Sequence, residues 1–290
     1  MQYKLSAGEG GFGLQFFGYV PFFDEVLSVS TADLPVNPVT GLQHTVVPAI
    51  KGINPPKALL WVGNSLFFFN NGSHRFMRRI LQKAPGAPKC RTNLVAIGGA
   101  SLSWHNLESY FRPNAIGSYS FSSDGNNTVQ FRDPSEQLWD SVLLLDSTQG
   151  PIHPQLKENF RQFGKKDAEI CRSHNATPIF VISWAYRDRP EMTAQLADSI
   201  ISVANENAAL AVPAGLAFAE AIQRDPSCPL YIADKRHPTS AGSYLLACTV
   251  IASLFKIDVT QIVFACDIDE TLAKSLRKIA QFTVNRFFSR

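Results

Sequence analysis

The stretch Ala58-Leu-Leu-Trp-Val-Gly-Asn-Ser65 joins an unbroken apolar run to an abrupt polar break. A short, continuous apolar run is typical of a strand that is buried on both faces of a parallel sheet. Gly63-Asn64-Ser65 ends the run, and residues 66–83 follow with apolar side chains at roughly helical spacing. Asn70-Asn71-Gly72 weakens the helical pattern in its first turns. The stretch therefore predicts a strand, a turn and a helix.

The same alternation of strand and helix continues along the chain. Strands that alternate with helices imply βαβ units, a parallel sheet and helices on both of its faces. The predicted fold class is therefore α/β, a three-layer α/β/α sandwich with a central parallel sheet of about five strands. The further predicted strands are 92–97, 141–145, 178–184 and 209–212, and the helices are 156–174, 191–207, 215–224 and 240–255.

The predicted body has an extension at each end. Residues 1–54 are rich in Gly, Phe, Pro and Val without a sustained period, and we interpret them as an N-terminal extension that packs on the body. The body spans residues 55–256 and carries a hairpin insertion at about 114–133, where two alternating segments flank a turn-rich loop. Residues 257–290 are predicted to form a C-terminal amphipathic helix.

Composition and charge exclude several classes of protein. The chain has 290 residues, of which 45% are hydrophobic and 18% charged, which is typical of a globular rather than a disordered chain. A net charge of +3 is too small to predict nucleic-acid binding. The best apolar segment, 244–255, is too short to span a membrane. Neither a nucleic-acid partner nor a membrane span is therefore expected, and the sequence leaves the oligomeric state open.

The cysteines and the N-terminus bear on metal, redox and location. Five cysteines are scattered along the chain and never form a Cys-x-x-Cys pair. This pattern predicts free thiols, without a disulfide framework or a zinc site. The N-terminal residues lack the apolar core of a signal peptide, so the expected location is cytoplasmic. A secreted or periplasmic location is expected instead if a leader has been trimmed from the sequence.

Polar or glycine-rich segments follow three of the predicted strands. They are Gly63-Asn64-Ser65, Gly98-Gly99-Ala-Ser101 and Asp146-Ser-Thr-Gln149. Ligands of open parallel sheets bind beyond the carboxyl ends of the strands, which is where these segments lie. Ser65 stands at a predicted strand-to-helix turn, so its hydroxyl either caps the helix or acts as a nucleophile beside a base.

Asp234 and His237 are the candidate partners of such a hydroxyl. Their spacing of three residues allows the two side chains to meet within one turn. An aspartate beside a histidine fixes the tautomer of the ring and stabilises the imidazolium. The alternative interpretation is a capping aspartate next to a surface histidine.

The order of these segments resembles that of the SGNH (GDSL-like) hydrolase superfamily over roughly residues 57–256. The most specific part is Leu230-Tyr-Ile-Ala-Asp-Lys-Arg-His-Pro-Thr-Ser-Ala-Gly-Ser-Tyr-Leu-Leu-Ala247. It is similar to the last block of the family, in which Asp-x-x-His-Pro leads into a helix containing Gly-x-Tyr-Leu-x-Ala. Trp61-Val-Gly-Asn-Ser65 is similar to the Gly-Asn-Ser variant of the first block.

The resemblance implies a serine hydrolase that cleaves a carboxylic ester with a small acyl group such as acetyl. Ser65 would be the nucleophile, His237 the base and Asp234 the residue that orients the histidine. The backbone N–H of Ser65 and that of Gly98 or Gly99 would form the oxyanion hole. The implied substrate is a small-molecule or carbohydrate ester, and neither a metal nor an organic cofactor is expected.

The loop after the third strand departs from the family pattern, which places Asn there in Gly-x-Asn-Asp. Gln149 is our candidate for this third oxyanion donor, because its amide can donate as Asn does, with Ser147 and Thr148 as alternatives. A turn that these residues merely satisfy is the other interpretation. The departure also keeps open a non-hydrolytic protein that binds a glycan or peptide, or an acyltransferase, using the same cleft.

Further residues near the predicted site are candidates for substrate contact. We assign Asn64, Ser101 and His105 to substrate binding, although structural packing explains His105 equally well. The run 67–69 consists of three phenylalanines, which either line the pocket or belong to the core.

A second motif suggests different chemistry. Residues 263–272 contain Asp267-Ile-Asp269-Glu-Thr271, which resembles the first motif of haloacid-dehalogenase-type phosphatases. That fold needs a long chain after this motif, and the sequence ends at residue 290. An acidic cluster that opens a terminal helix explains the motif more simply.

Overall fold

Five parallel strands form the centre of the molecule, in a computed structural model that describes residues 44–122, 124–126 and 128–290. The described residues contain these five strands and two strands of a separate hairpin, β3 and β4. In chain order they are β1 (Ala58–Gly63), β2 (Arg91–Ala96), β3 (Tyr119–Phe121), β4 (Val129–Phe131), β5 (Ser141–Leu144), β6 (Thr177–Val181) and β7 (Leu210–Val212). The central sheet has the order β2-β1-β5-β6-β7, and every neighbouring pair in it is parallel. The predicted five-stranded parallel sheet is therefore confirmed.

Helices cover both faces of this sheet. Because side chains alternate along a strand, Leu59 and Trp61 of β1 enter one apolar core while Leu60 and Val62 enter the other. The two cores confirm the predicted three-layer α/β/α sandwich. The helices are α1 (Ser65–Phe68), α2 (Ser73–Leu81), α3 (Lys157–Ser173), α4 (Met192–Glu206), α5 (Ala214–Arg224), α6 (Ser240–Phe255) and α7 (Glu270–Phe288), with 3₁₀ turns at Leu102–Trp104, Leu107–Tyr110 and Val259–Gln261.

The single helix predicted over 66–83 is wrong, because the structure divides it into α1 and α2. Asn70, Asn71 and Gly72 have φ angles of 57°, 65° and 89°, in the left-handed region that ends a helix. Asn and Gly are the residues that enter this region most readily, so the local sequence 70–72 explains the break.

The peripheral segments follow the predictions in part. The hairpin is confirmed, since β3 and β4 pair antiparallel with Tyr119 opposite Phe131. The terminal helix is shorter than predicted, because α7 begins only after the 3₁₀ turn and a loop. At the other end, the backbone N–H groups of Thr45 and Val46 donate to Asp198 of α4. Residues 1–43 of the predicted extension lie outside the described residues, so its role as a whole stays a prediction.

Two features are absent from the part of the chain that the structure describes. No helix there combines the length and the apolar character needed to cross a membrane. No group of three or more His, Cys, Asp or Glu side chains in those ranges is arranged to hold a metal ion. All five cysteines are free thiols, and four of them are buried.

Asp167 of α3 is a buried carboxyl group, 1% exposed, whose Oδ2 has no hydrogen-bond partner among the described residues. Burial raises the pKa of Asp167 from 3.8 to about 7; the Lys166 charge opposes this shift and the Asp146 charge adds to it. Between these two values the folded protein retains a proton that the unfolded chain has released. This carboxyl therefore makes the folded state less stable as the pH rises.

We expect Asp167→Asn to remove this dependence, because the amide resembles the protonated carboxyl. The variant should gain stability relative to the wild type by about 1.4 kcal/mol per pH unit between about pH 4 and about pH 7. Urea unfolding of both proteins across this range measures the difference. Asp267→Asn is the control with the opposite sign, because a hydrogen bond from Arg79 lowers the pKa of that exposed carboxylate. A difference between Asp167→Asn and wild type that does not change with pH would contradict the prediction.

Candidate active site

The hydroxyl of Ser65 and the imidazole of His237 meet although 172 positions separate them in the chain. Ser65 is the first residue of α1 and follows the carboxyl end of β1 directly. Its Oγ lies 2.8 Å from Nε2 of His237, which is hydrogen-bond distance. Both side chains are partly accessible, so the pair can be reached from solvent.

Asp234 holds the other side of the imidazole ring. Its Oδ2 lies 2.5 Å from Nδ1 of His237, and its Oδ1 accepts the backbone N–H groups of Arg236 and His237 at 2.8 Å and 3.0 Å. Burial acts to raise the pKa of Asp234, but the hydrogen bonds from the His237 ring and from these two N–H groups outweigh it and hold the pKa below its ordinary value. An ionised carboxylate can only accept, so Nδ1 carries the proton and Nε2 accepts from the Ser65 hydroxyl.

Backbone contacts fix the short segment that carries Asp234 and His237. Tyr231 and Pro238 form an isolated antiparallel bridge, and the N–H of Ile232 donates to the His237 carbonyl at 3.0 Å. Lys235 has a φ angle of 64°, which closes the turn between the two functional side chains. The indole N–H of Trp184 donates to the Arg236 carbonyl at 3.0 Å and so ties the turn to the segment after β6. The histidine is therefore held by a fixed turn.

Unpaired backbone donors belong to the Ser65 turn and to the glycine loop that follows β2. Within the described residues, the N–H groups of Ser65, Gly98 and Gly99 have no hydrogen-bond partner. The loop with the two glycines adjoins the Ser65 turn, because the N–H of Ile97 donates to the Gly63 carbonyl at 3.1 Å. Backbone N–H groups in such a position are suited to receive a negatively charged oxygen. The predicted oxyanion donors are thus near one another, and the choice between Gly98 and Gly99 stays a prediction.

Asn64 joins the two loops through its side-chain amide. It is 2% exposed, and its Oδ1 accepts the N–H of Leu66 at 3.1 Å, which caps α1. Its Nδ2 donates to the carbonyl of Ala100 at 2.9 Å, in the glycine loop. Both ends of the amide are therefore bonded inside the protein, and a substrate contact of Asn64 stays a prediction.

Ser101 and His105 also bond to protein groups. The Ser101 hydroxyl donates to Oδ2 of Asp146 at 2.9 Å. The His105 ring is 6% exposed, with Nε2 at 2.9 Å from the Gly63 carbonyl and Nδ1 at 3.1 Å from the Tyr110 hydroxyl. Both ring nitrogens have protein partners, and burial lowers the pKa of the ring. The two residues support the loop after β2, and their contact with a substrate stays a prediction.

Asp146 is the support that sequence reasoning missed. Its carboxyl is buried, and it accepts from the Leu102 N–H at 3.0 Å and the Ser147 hydroxyl at 3.1 Å as well as from Ser101. Burial raises the pKa of this carboxyl, although the hydrogen bonds to it act in the opposite direction. Gly150 leaves room for this carboxyl, because a Cβ at that position would lie only 2.0 Å from Oδ1 of Asp146. Asp146 therefore links the loops that follow β2 and β5.

Gln149 has a partner that the sequence did not predict. Its Nε2 donates to the Tyr186 hydroxyl at 3.2 Å, while its Oε1 is buried without a partner among the described residues. Of the two alternatives, Ser147 donates its hydroxyl to Asp146 and Thr148 is buried. The identity of a third oxyanion donor stays a prediction.

The three phenylalanines after Ser65 take three different positions. Phe67 is buried edge-on against Trp61, with ring centroids 4.9 Å apart, so it belongs to the core. Phe68 is 61% exposed. Phe69 stacks on the imidazole of His237 at a centroid distance of 4.2 Å.

The acidic motif near the C-terminus has a structural explanation. Asp269 caps α7 by accepting the N–H of Leu272 at 2.8 Å, as the simpler interpretation predicted. Asp267 is exposed and forms an ion pair with Arg79 at 2.8 Å.

We expect Gly150→Ala to loosen the loop that carries the candidate N–H donors. The added methyl group would displace the Asp146 carboxyl and break its bonds to Ser101 and Leu102. Hydrogen–deuterium exchange of residues 98–105 should therefore become faster, and the melting temperature should fall. Gly52→Ala is the matched control, because its Cβ would meet only the Lys256 side chain, at 3.5 Å. Unchanged exchange in the Gly150 variant would show that Asp146 does not hold this loop.

Comparisons with known proteins place the fold. No family model matches the chain, and no curated protein matches it either. A solved structure of a DUF4886 family protein from Bacteroides uniformis is 17% identical with a TM-score of 0.52, covering 79% of this chain and 94% of that one.

Two further structures belong to the same comparison. A GDSL-like lipase candidate from Parabacteroides merdae is 14% identical with a TM-score of 0.51, covering 70% of this chain and 97% of that one. An SGNH hydrolase candidate from Slackia heliotrinireducens is 20% identical with a TM-score of 0.49, covering 68% of this chain and 97% of that one. At these identities the likeness concerns the fold. The chain therefore shares the α/β/α fold of the DUF4886 family protein and of the GDSL-like lipase candidate, the fold class that its sequence predicts.

Proposed function

We propose that the protein is a serine hydrolase that cleaves a carboxylic ester through an acyl-enzyme on Ser65. The observation that carries this proposal is the continuous hydrogen-bonded line from the Ser65 hydroxyl through the His237 ring to the Asp234 carboxylate. A hydroxyl alone is a weak nucleophile, and an adjacent base oriented by a third group is the arrangement that activates it. An intact line of this kind favours catalysis over binding alone.

In the acylation step, Nε2 of His237 takes the Ser65 hydroxyl proton while Oγ forms a bond to the ester carbonyl carbon. The carbonyl π pair moves to oxygen, which gives a tetrahedral intermediate with a negatively charged oxygen. When the carbonyl re-forms, the bond to the leaving alcohol oxygen breaks, and the imidazolium gives its proton to that oxygen. The products of this step are an acylated Ser65 and a free alcohol.

Deacylation repeats the sequence with water in place of the hydroxyl. Nε2 of His237 takes one proton from water while the water oxygen bonds to the acyl carbon. Collapse of the second intermediate breaks the bond to Ser65 Oγ, which recovers its proton from the imidazolium. The carboxylic acid is released and the enzyme returns to its starting state. Asp234 keeps its charge throughout and stabilises the imidazolium in both steps.

The oxyanion that forms in both steps needs donors fixed in advance. We propose the N–H of Ser65 together with that of Gly98 or Gly99, because the glycine loop adjoins the Ser65 turn and these groups are unpaired within the described residues. Each such donor contributes about 3 kcal/mol to the transition state in related chemistry. Asn64 and Asp146 hold the glycine loop in place for this purpose.

A small acyl group such as acetyl, carried on a small molecule or a carbohydrate, is our proposal for the substrate class. The sequence contains few apolar segments of the kind that cover long acyl chains. The p-nitrophenyl esters of acetate, butyrate and octanoate separate the possibilities, and kcat/KM should be highest for the acetate. A maximum at octanoate would contradict the small-acyl proposal without affecting the proposed nucleophile.

We expect Ser65→Ala and His237→Ala each to lower kcat for p-nitrophenyl acetate by at least about 10²–10⁴-fold, the range typical of a lost acid–base group. Asp234→Asn should also lose activity, because the amide can favour the wrong tautomer of His237. In the wild type, a fluorophosphonate should label Ser65, and mass spectrometry of the digested protein locates the adduct.

His174→Ala is the matched control for the histidine variant. His174 lies three residues before the start of β6, so it is toward the amino ends of the strands, away from the site at their carboxyl ends. Its activity should equal that of the wild type. Full activity in Ser65→Ala, or a fluorophosphonate adduct on another residue, would refute the proposed mechanism.

A further inference from the structure

The imidazole of His237 is covered on one face by an aromatic ring. The Phe69 ring lies 4.2 Å from it, centroid to centroid, and the two planes differ by only 16°. Asp234 and Ser65 contact the edge of the imidazole, at Nδ1 and Nε2. Phe69 therefore restricts the one motion that those two hydrogen bonds leave weakly restrained, the tilt of the ring about the line that joins them.

Phe69 reaches this position because α1 is only four residues long. Phe69 is the C-cap of α1, with φ −49° and ψ 151°, and it turns the chain out of the helix. The left-handed residues 70–72 then reverse the chain before α2 begins. If α1 continued without a break, the backbone of residues 69–72 would follow the helix axis and would not reverse direction. The break places Phe69 against His237.

Asn70 attaches the same turn to the segment that carries the histidine. Its Nδ2 donates to the carbonyl of Pro238 at 3.0 Å and to the hydroxyl of Ser243 at 2.9 Å. Pro238 follows the histidine directly, and Ser243 lies in the first turns of α6. One side chain thus connects the turn that follows α1 to the residue after His237 and to the first turn of α6.

We propose that Phe69 and Asn70 are positioning residues for His237, which is an inference that rests on the proposed serine hydrolase function. Phe69 fixes the plane of the imidazole so that Nε2 faces the Ser65 hydroxyl. Asn70 fixes the distance between the two backbone segments that carry the nucleophile and the base. The early end of α1 thereby serves to place these two side chains.

Stacking has a second consequence during turnover. The ring becomes a cation each time it takes the proton of Ser65 or of water, and a cation over the face of an aromatic ring is stabilised by the ring quadrupole. The gain exists only while the imidazolium exists, so it lowers the barrier more than it stabilises the resting enzyme. Loss of the aromatic face should therefore lower kcat and leave KM nearly unchanged.

The first experiment measures the position of the His237 ring in the absence of substrate. In proton NMR spectra, the His237 ring protons are assigned by their loss in His237→Gln. The ring current of Phe69 should shift them upfield in the wild type, and Phe69→Leu should return them downfield. The Nδ1 proton that is shared with Asp234 should exchange faster with solvent in this variant. Phe69→Tyr keeps the aromatic face and should restore both signals.

The second experiment measures the catalytic rate of the variants. With p-nitrophenyl acetate, Phe69→Leu should lower kcat about 3- to 30-fold, the effect expected for loss of a cation–π contact, and Phe69→Tyr should recover most of it. Asn70→Gly keeps the left-handed backbone but removes the amide, and it should lower kcat about 3- to 10-fold. The rate of fluorophosphonate labelling at Ser65 should fall in parallel.

Asn71→Gly is the matched control for Asn70→Gly. Asn71 has a similar φ of 65°, is exposed, and its side chain forms no hydrogen bond in the described part of the chain. Its kcat should match that of the wild type. Melting temperatures of all variants show whether any loss of activity follows a loss of folded protein.

The outcomes separate this proposal from the proposed function. If the wild type is labelled at Ser65 and Phe69→Leu leaves the NMR signals and kcat unchanged, the positioning role is refuted while the hydrolase proposal stands. If the wild type neither hydrolyses esters nor reacts with the fluorophosphonate, the hydrolase proposal fails. The ring-proton shifts in the same variants then still decide whether Phe69 holds the imidazole.

Discussion

Parallel pairing of β1 with β2 on one side and β5 on the other is the constraint on which the site depends. The register aligns Gly63 with Ala96, and Val62 with Leu144, so that three strands end at nearly the same level. The loops that follow these strands are therefore neighbours before any side chain is considered. Asn64 and Asp146 then bind the loops to each other through buried hydrogen bonds. A one-residue slip of β1 would move Ser65 and turn every core side chain of the strand to the other face.

The strands and the candidate triad could be predicted because their signals are local. Each central strand is a short, largely apolar run, and three of the five end at a polar or glycine-rich segment. The structure has a strand in all five places. Asp234 and His237 meet because they are three residues apart, a spacing that one turn of the chain spans and that can be read from the sequence. Bringing Ser65 to His237 needed the additional knowledge that both lie at the same end of a parallel sheet.

The remaining roles could not be predicted because they depend on partners that are distant in sequence. Asn64 is a polar residue in a turn beyond a strand, where ligand-binding residues are common. Only the structure shows that its amide bonds to the Ala100 carbonyl. His105 likewise becomes a buried packing residue through its bonds to Gly63 and Tyr110. The helix break at 70–72 was visible as a weak helical signal. Its purpose, contact with the His237 segment, was not visible, since the partner lies some 168 positions away.

The stacked and hydrogen-bonded contacts of α1 with the His237 segment explain why a costly turn is retained. Left-handed conformations cost an ordinary residue about 1–2 kcal/mol each, and Asn and Gly reduce this cost without removing the loss of helical hydrogen bonds. A longer α1 would be the more stable local structure, but it would carry Phe69 and Asn70 away from the base. The chain thus favours the geometry of the site over the length of a helix. The nucleophile and its base belong to segments that are joined only through tertiary contacts, so the contacts that hold them in register are as necessary to the proposed chemistry as the reacting groups.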